Sequence, residues 1–366
     1  MAVKRVAGGY DYLILIPTIL LFGFGLVAIY SASNYLAAHE MGDSYYYLKR
    51  QLFFGFLGIC LMIAAKNIPP KFYGKIVYPV LALSLISLIM VLIPGIGTKI
   101  GGASRWIRIG FISIQPSELA KLALAVYIAY SMEKKGPLMS SFTKGFLPHL
   151  IVAGSFMCLI LMQPDLGTTV IIGLWLAIVL FVGGLNIFQL LLMALLSCPV
   201  VYWLMSSASY RANRLTAFLH PWDHQLDLGY QIIHSFLAFG SGGILGVGLG
   251  NSKQKLLYLP EPHTDFVLSI VAEELGLLGV VVVIALFAVL IIRGIKISLD
   301  APDLYSSYLA LAISTLIGLQ VVINMGVVMG LLPTKGLTLP FLSYGGSSLV
   351  VNLVGVGILL SISARS

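Results

Sequence analysis

Apolar residues run along this chain in long unbroken stretches rather than in alternation. A helix rises about 1.5 Å per residue, so about 20 apolar residues cross a hydrocarbon core of about 30 Å. On that ruler the sequence predicts ten spans, at 12–32, 50–66, 77–95, 115–132, 146–162, 167–183, 187–206, 266–292, 305–328 and 346–363. The runs are continuous, which excludes the short alternating segments of a membrane β-barrel. Lys4 and Arg5 precede the first run. That run is too long for a signal-peptide core and no Ala-x-Ala pattern follows it, so it reads as a first transmembrane helix. The expectation is an all-α polytopic membrane protein of ten transmembrane helices, forming a single integral membrane domain over residues 1–366. An even number of spans places both termini on one side. With the termini in the cytoplasm, Lys66, Lys71, Lys75, Lys134, Lys135, Lys144, Arg293, Lys296 and Arg365 fall in short inside segments, as the positive-inside rule requires.

The outside connections then carry the information. Residues 33–49 hold Tyr45, Tyr46 and Tyr47, suited to an interfacial belt, and residues 96–114 hold Arg105-Trp106-Ile107-Arg108. Residues 207–265, between helices 7 and 8, form by far the longest connection. A loop of that length in an economical chain is functional or disordered. Its aromatic residues Trp222, Tyr230, Phe236 and Phe239 and its few charges argue for a folded, partly re-entrant segment. Residues 329–345 form the last outside connection. No internal repeat is visible, which argues mildly against a transporter built from inverted halves.

Composition narrows the function classes. Of 366 residues 59% are hydrophobic and 10% charged, against about 25% charged in soluble domains, so a water-soluble fold is excluded. The formal charge of +8 is scattered through loops without a basic stripe; it implies anionic membrane lipid and no nucleic acid. Cys60, Cys158 and Cys198 share no metal-type spacing and read as structural thiols. His220 and His224 stand four apart, but Pro221 breaks the helix that would align them and no third ligand follows.

Ionisable groups in or beside lipid are candidate functional groups. The densest set is Lys253-Gln254-Lys255, then Leu259-Pro260-Glu261-Pro262-His263-Thr264-Asp265-Phe266, then Glu273-Glu274. Pro260 and Pro262 forbid a regular helix before His263. Thr264 is a fair N-cap, which puts Asp265 in the first turn of the next span, ionised by the helix dipole and by Lys253 and Lys255. An acid there also simply stabilises its helix. The glycine-rich run Gly240–Asn251 mimics a phosphate fingerprint, but no strand precedes it and no Gly-Lys-Ser/Thr ends it. Its glycines offer close backbone approach, useful for a pyrophosphate or for packing a re-entrant segment. Gln115-Pro116-Ser117-Glu118 opens the fourth span with Lys121 at i+3, either a buried structural pair or a cavity lining. Arg105 and Arg108 flanking Trp106 suit a phosphate or a surface lipid. Asp165, between Pro164 and Gly167, suits a cap on the sixth span.

Gly229-Tyr230-Gln231, Ala238-Phe239-Gly240-Ser241-Gly242-Gly243, Gly248-Leu249-Gly250, Gln254-Lys255, Leu259-Pro260-Glu261 and His263-Thr264-Asp265-Phe266 together resemble the SEDS proteins (shape, elongation, division, sporulation). So do Gln115-Pro116-Ser117-Glu118, Pro164-Asp165-Leu166-Gly167-Thr168, and Leu339-Pro340 with Ser343-Tyr344-Gly345-Gly346-Ser347-Ser348. The resemblance covers nearly the whole chain, and Leu332-Pro333-Thr334-Lys335-Gly336-Leu337-Thr338 is closer to the division type than to the elongation type. His234 stands where glutamine is usual, Leu166 where phenylalanine is usual and Pro262 where alanine is common; residues 220–227 also vary from the family's loop.

The resemblance implies ten transmembrane helices in a bacterial cytoplasmic membrane and polymerisation of peptidoglycan glycan strands from lipid II on its outer side. The donor would be an undecaprenyl-pyrophosphate-linked glycan and the acceptor lipid II. The partners would be a class B penicillin-binding protein and other divisome proteins. The family's essential acid falls on Asp265, expected as general base toward the acceptor's 4-hydroxyl in an inverting transfer. Arg105, Arg108, Lys253 and Lys255 are candidates for holding pyrophosphate. Glu118, Lys121, Glu261, His263, Ser343 and Ser347 are further candidate substrate contacts. A divalent cation, Mg or Mn, is an alternative stabiliser of the leaving group, with no protein cage apparent. Two alternatives stay open. One is a lipid II flippase using Glu118–Lys121 and Glu273/Glu274 as a polar track; the other is a scaffold recruiting the penicillin-binding partner.

Overall fold

Polar residues set the ends of the apolar runs. Asp11 caps α1 (Tyr12–Met41), its carboxylate accepting the Leu13 amide at 3.2 Å, and Gly42 at φ 69° stops it. A computed structural model gives the architecture and describes residues 10–366 except 101, 102, 111, 207, 208, 228, 257 and 335. Lys4 and Arg5, Gly101 and Gly102 of the second outside connection, and Lys335 of the 332–338 motif lie outside the described residues. After α1 come α2 (Tyr46–Asn67), the short α3 (Pro70–Lys75) and α4 (Val77–Leu92). Strands β1 (Gly97–Ile100), β2 (Ala103–Ile109) and β3 (Ile112–Ile114) follow, then α5 (Pro116–Lys135), α6 (Leu147–Met162), α7 (Leu166–Val182) and α8 (Ile187–Ser206). The long connection contains α9 (Ser209–Leu219), a single 3-10 turn (Pro221–His224) and α10 (Tyr230–Gly242). It leads to α11 (Val267–Asp300), α12 (Leu304–Val328) and α13 (Gly346–Ser363).

Among the described residues six helices are long and apolar enough to cross a membrane: α1, α2, the stretch Phe142–Met162 that includes α6, α11, α12 and α13. Val77–Leu92, Leu166–Val182 and Ile187–Pro199 are shorter apolar helices. The chain is an integral membrane protein. Its α5 is less apolar because it carries Glu118, Lys121, Glu133, Lys134 and Lys135. The centre is α12 and α13, whose apolar windows are 83% buried against 33–39% for the other four spans. Buried helices are apolar all round, whereas the outer ones turn an apolar face to lipid. Cys60, Cys158 and Cys198 lie on such outward faces and are free thiols.

The all-α expectation needs one correction. Residues 97–114 are a three-stranded antiparallel sheet in the order β1-β2-β3, pairing Thr98 with Trp106 and Arg108 with Ser113. The signal was a short period-two alternation, Ile107-Arg108-Ile109, with a turn at Gly110 (φ 60°); reading the chain for spans alone passed over it.

The glycine-rich run proves to be a backbone splice. Helix α11 breaks at Gly276 (φ 65°, ψ −163°), which would leave carbonyls and amides unpaired. The segment after α10 fills the break. Val247 and Gly248 amides donate to the Glu273 and Glu274 carbonyls, each at 3.0 Å. Leu277 and Leu278 amides donate to Gly243 and Ile244 carbonyls at 2.9 and 3.2 Å. A Cβ at Gly276 would run into the Gly246 amide nitrogen, so side chains are excluded from the joint.

Candidate active site

Asp265 lies in the loop between this splice and α11. Pro260 and Pro262 keep the loop out of helix, and Glu261 between them sits at φ 52°, in the left-handed region. Thr264 does not cap the helix as expected; its amide and hydroxyl both donate to the Glu261 carbonyl, at 3.1 and 3.0 Å. The helix starts at Val267 with Phe266 as its N-cap. Asp265 therefore precedes the first turn, where the helix dipole is less well placed to favour its charge.

Neighbouring elements fix the loop from both sides. Asn324 of α12 donates from Nδ2 to the Asp265 carbonyl at 3.1 Å and to the Leu337 carbonyl at 2.5 Å, bracketing two loops together. His263 is buried, its ring 4.2 Å from that of Tyr47 and 5.6 Å from that of Tyr344, and its carbonyl accepts the Tyr344 amide at 2.8 Å. A Cβ at Gly336 would lie 3.3 Å from Asp265 Oδ2, so the glycine leaves that side of the carboxylate open.

Among the described residues no hydrogen bond reaches the Asp265 carboxylate. Asp265 keeps some exposed surface, yet burial pushes its pKa up to about 7, and the Glu261 charge adds to the rise. Arg105 and Arg214 pull it down, and Asp165 raises it again. Glu261 itself is raised, by burial and then by the charge of Glu40. His263 is lowered to about 4 by burial, so it is neutral at working pH and packs as a ring. Beside this loop opens a cleft of about 370 Å³ lined by Arg214, Leu226, Asp227, Tyr230, Gln231, Pro260 and Thr334.

The other expected site residues divide by what already holds them. Arg105 on β2 donates from Nε to the Gln163 carbonyl at 3.2 Å and from Nη2 to the Pro164 carbonyl, pinning the sheet to the turn before α7. Arg108 on the same strand is exposed. Asp165 caps α7, accepting from the Thr168 amide at 3.1 Å and its hydroxyl at 2.8 Å. Glu118 and Lys121 form a buried pair at 2.8 Å. The Ser343 hydroxyl accepts the Leu339 amide at 2.8 Å, and the Ser347 hydroxyl accepts the Gln115 amide at 3.0 Å and donates to the Ser113 carbonyl at 3.2 Å. Both serines are engaged in holding loops.

The expectation that Lys253 and Lys255 neutralise Asp265 is corrected. Lys255 is buried and donates from Nζ to Glu274 at 3.0 Å and to Ser31 at 3.1 Å. Glu274 also accepts from the Ser31 hydroxyl at 2.6 Å, tying α1 to α11. Glu273 accepts the Lys253 and Gln254 amides at 3.0 and 3.3 Å and the Ser252 hydroxyl. The Lys253 side chain is exposed. Glu273 and Glu274 thus share one buried network, because the Ser252 hydroxyl that donates to Glu273 accepts the Lys255 amide, while Glu118 is paired with Lys121. The cations that bear on Asp265 are Arg105 and Arg214. Sequence reasoning missed Arg214 and Asn324. The signal for Asn324 was an amide in an otherwise apolar span; Arg214 had none, because its partners arrive from distant loops.

No cluster of three or more His, Cys, Asp or Glu able to hold a metal occurs among the described residues.

Comparison with known proteins agrees with this architecture. The FtsW/RodA/SpoVE family model, described as "Cell cycle protein", matches residues 11–366. The chain is 47% identical to the probable peptidoglycan glycosyltransferase FtsW of Geobacter sulfurreducens (strain DL-1 / KN400), over 97% of this chain and 95% of that one. It is 44% identical to stage V sporulation protein E of Bacillus subtilis (strain 168), over 97% of each chain. Among solved structures, it matches a chain from work on the structural coordination of polymerization and crosslinking by a peptidoglycan synthase complex. That match has a TM-score of 0.79 and 28% identity over 98% of both chains. It matches the rod shape determining protein RodA of Thermus thermophilus at a TM-score of 0.71 and 28% identity over 97% of both chains. With a relative of this identity aligned over nearly all of both sequences, the chain belongs to the FtsW/RodA/SpoVE family, the SEDS proteins.

Proposed function

We propose that this chain is a division-type peptidoglycan glycosyltransferase that extends glycan strands from lipid II, with Asp265 as general base. The acceptor is lipid II and the donor a glycan on undecaprenyl pyrophosphate. The acceptor's 4-hydroxyl oxygen attacks the donor's anomeric carbon from the face opposite the pyrophosphate. A new C–O bond forms, the bond to the pyrophosphate oxygen breaks with inversion, and the hydroxyl proton passes to Asp265. The observation that carries this is a partly open carboxylate, free of hydrogen bonds among the described residues, whose pKa stands at about 7. A base is most effective when its pKa lies near working pH, and it contributes about 10²- to 10⁴-fold. Arg105, Arg108 and Lys253 are the candidate cations for the departing pyrophosphate, and Lys255 is withdrawn from that role by its bond to Glu274. A divalent ion, Mg or Mn, would supply charge neutralisation to the leaving group; such an ion needs only one or two protein carboxylates, and the exposed Glu261 in the Asp265 loop would be the one to hold it.

In the membrane we place ten helices, with α9 and α10 as the partly re-entrant segment and both termini in the cytoplasm. One face is marked by Asp11 at the start of α1, which binds Arg293 near the end of α11 at 2.9 Å and Ser363 at the end of α13 at 2.7 Å. Asp265 lies before the start of α11, up to about 39 Å of helix from Arg293, about the thickness of a bilayer with its headgroups. Lys66, Lys71, Lys75, Lys134, Lys135, Lys296 and Arg365 belong with the Asp11 face, so Asp265 faces outward. The whole chain works as one membrane domain beside a class B penicillin-binding protein and other divisome proteins.

The test is polymerisation of lipid II by purified protein in detergent, with and without that partner. Wild type is expected to yield a glycan ladder and Asp265→Asn none; undiminished polymerisation by Asp265→Asn refutes the assignment.

A further inference from the structure

The cleft beside Asp265 is built from parts the mechanism above does not use. It presents a guanidinium (Arg214), a carboxylate (Asp227), an amide (Gln231), a hydroxyl (Thr334) and the ring of Tyr230. A site for an anion alone would not place a carboxylate beside its arginine. Donors and acceptors of both kinds next to an aromatic ring suit a sugar, which offers hydroxyl and acetamido groups at its edge and C–H groups on its face. The volume, about 370 Å³, lies at the lower end of small-ligand pockets. Pro260 belongs to the loop of Asp265, and Thr334 to the loop of Gly336, which adjoins the Asp265 carboxylate.

The Tyr230 ring is held from behind. His234, one helical turn along α10, lies 4.1 Å from it between ring centroids and 5.9 Å from the ring of Tyr258, nearly parallel to the latter. His234 Nδ1 and Gln254 Oε1 are 2.7 Å apart, and since an amide oxygen only accepts, Nδ1 carries the proton. The Gln254 backbone amide in turn donates to the Glu273 carboxylate at 3.3 Å. The ring cluster Tyr230–His234–Tyr258, its first pair tilted by 45°, is thereby anchored to the splice in α11. A glutamine at 234 would keep the hydrogen bond and lose the ring contacts.

We infer that this cleft is a saccharide subsite for the lipid-linked substrate, and that His234 is the positioning residue that fixes its aromatic wall. The substrate class rests on the glycosyltransferase reading; the existence of a sugar site does not. The direct test titrates the soluble disaccharide GlcNAc-MurNAc into the full chain in detergent, read by saturation-transfer NMR. Loss of one aromatic contact is expected to weaken binding about five- to tenfold in Tyr230→Ala. Tyr230→Phe should bind as wild type, and His234→Gln should fall between. On lipid II, Tyr230→Ala should raise KM by a similar factor with little change in kcat, and shorten the glycan product, as loss of ground-state binding requires. No disaccharide signal in wild type, or equal signals in wild type and Tyr230→Ala, overturns the subsite. So does a fall in kcat alone, shared by the Ala and Phe variants. If wild type binds the disaccharide through Tyr230 yet makes no polymer, the subsite stands and the glycosyltransferase reading fails.

Discussion

The pH profile of polymerisation tests the electrostatics of Asp265 directly. Only the ionised carboxylate accepts a proton, so activity is lost as pH falls through its pKa and gained as pH rises. With a pKa of about 7, the group is about 10% ionised at pH 6 and about 90% at pH 8, and kcat/KM should climb about tenfold between them. An aspartate at the ordinary value of about 3.9 would be almost fully ionised at both and give a flat profile. Two neighbours should move the midpoint in opposite directions. The Glu261 charge raises the Asp265 pKa, so Glu261→Gln should shift the rise to lower pH; Arg214 lowers it, so Arg214→Ala should shift the rise to higher pH. The assay is the initial rate of lipid II polymerisation in detergent at substrate well below KM, from pH 5.5 to 8.5, where kcat/KM reports the free enzyme. A flat profile, or a Glu261→Gln midpoint moved upward, refutes the reasoning.

Two further outcomes concern the frame that holds this loop. Removing Lys255 (Lys255→Met) leaves Glu274 buried with one partner fewer, and should cost about 3–5 kcal/mol; Lys255→Met with Glu274→Gln should recover part of that, measured by thermal unfolding in detergent as a double-mutant cycle. Gly276→Ala places a side chain at φ 65° against the Gly246 backbone, and should accelerate amide exchange across residues 243–248 and lower the melting temperature, while Gly154→Ala, at a position of α6 with open space for a Cβ, should leave the exchange across 243–248 unchanged.

Much of the fold was legible because one physical requirement, satisfying the backbone in lipid, leaves few solutions. The expected spans fall on α1, α2, α4 to α8 and α11 to α13 with shifted ends. The largest shift is in α1, which continues to Met41, past the expected end at residue 32. That continuation is more polar, so a ruler for hydrocarbon thickness could not see it. The sheet was missed for the same reason: the alternation Ile107-Arg108-Ile109 in a seven-residue strand is too short to register on a hydropathy ruler. At the site, Asp265 was legible from its prolines and its family motif, but its surroundings were not. Lys253 and Lys255 are near in sequence, and proximity suggested charge neutralisation. The fold instead turns Lys255 toward Ser31, far away in the chain, and brings Arg105 and Arg214 to bear on Asp265 from the sheet and from α9. Long-range pairing of this kind has no local periodicity to read.

What separates the proposed base from the other carboxylates is hydrogen bonding. Asp11 receives an amide, the Arg293 guanidinium and the Ser363 hydroxyl. Asp165 takes an amide and a hydroxyl, Glu273 two amides and a hydroxyl, and Glu274 an ammonium and a hydroxyl. Glu118 leaves Oε2 unpaired, but Lys121 neutralises it at 2.8 Å. Each of these carboxylates is already held by charge-assisted bonds, worth about 1.5–3 kcal/mol each. Asp265 has its backbone carbonyl tied to Asn324 and its carboxylate untied among the described residues. The loop is thus held rigid through the main chain while the side chain keeps its acceptor capacity for an incoming hydroxyl. Burial of a carboxylate left without such bonds raises its pKa, and on the proposed mechanism that rise is what makes it basic enough to take the proton.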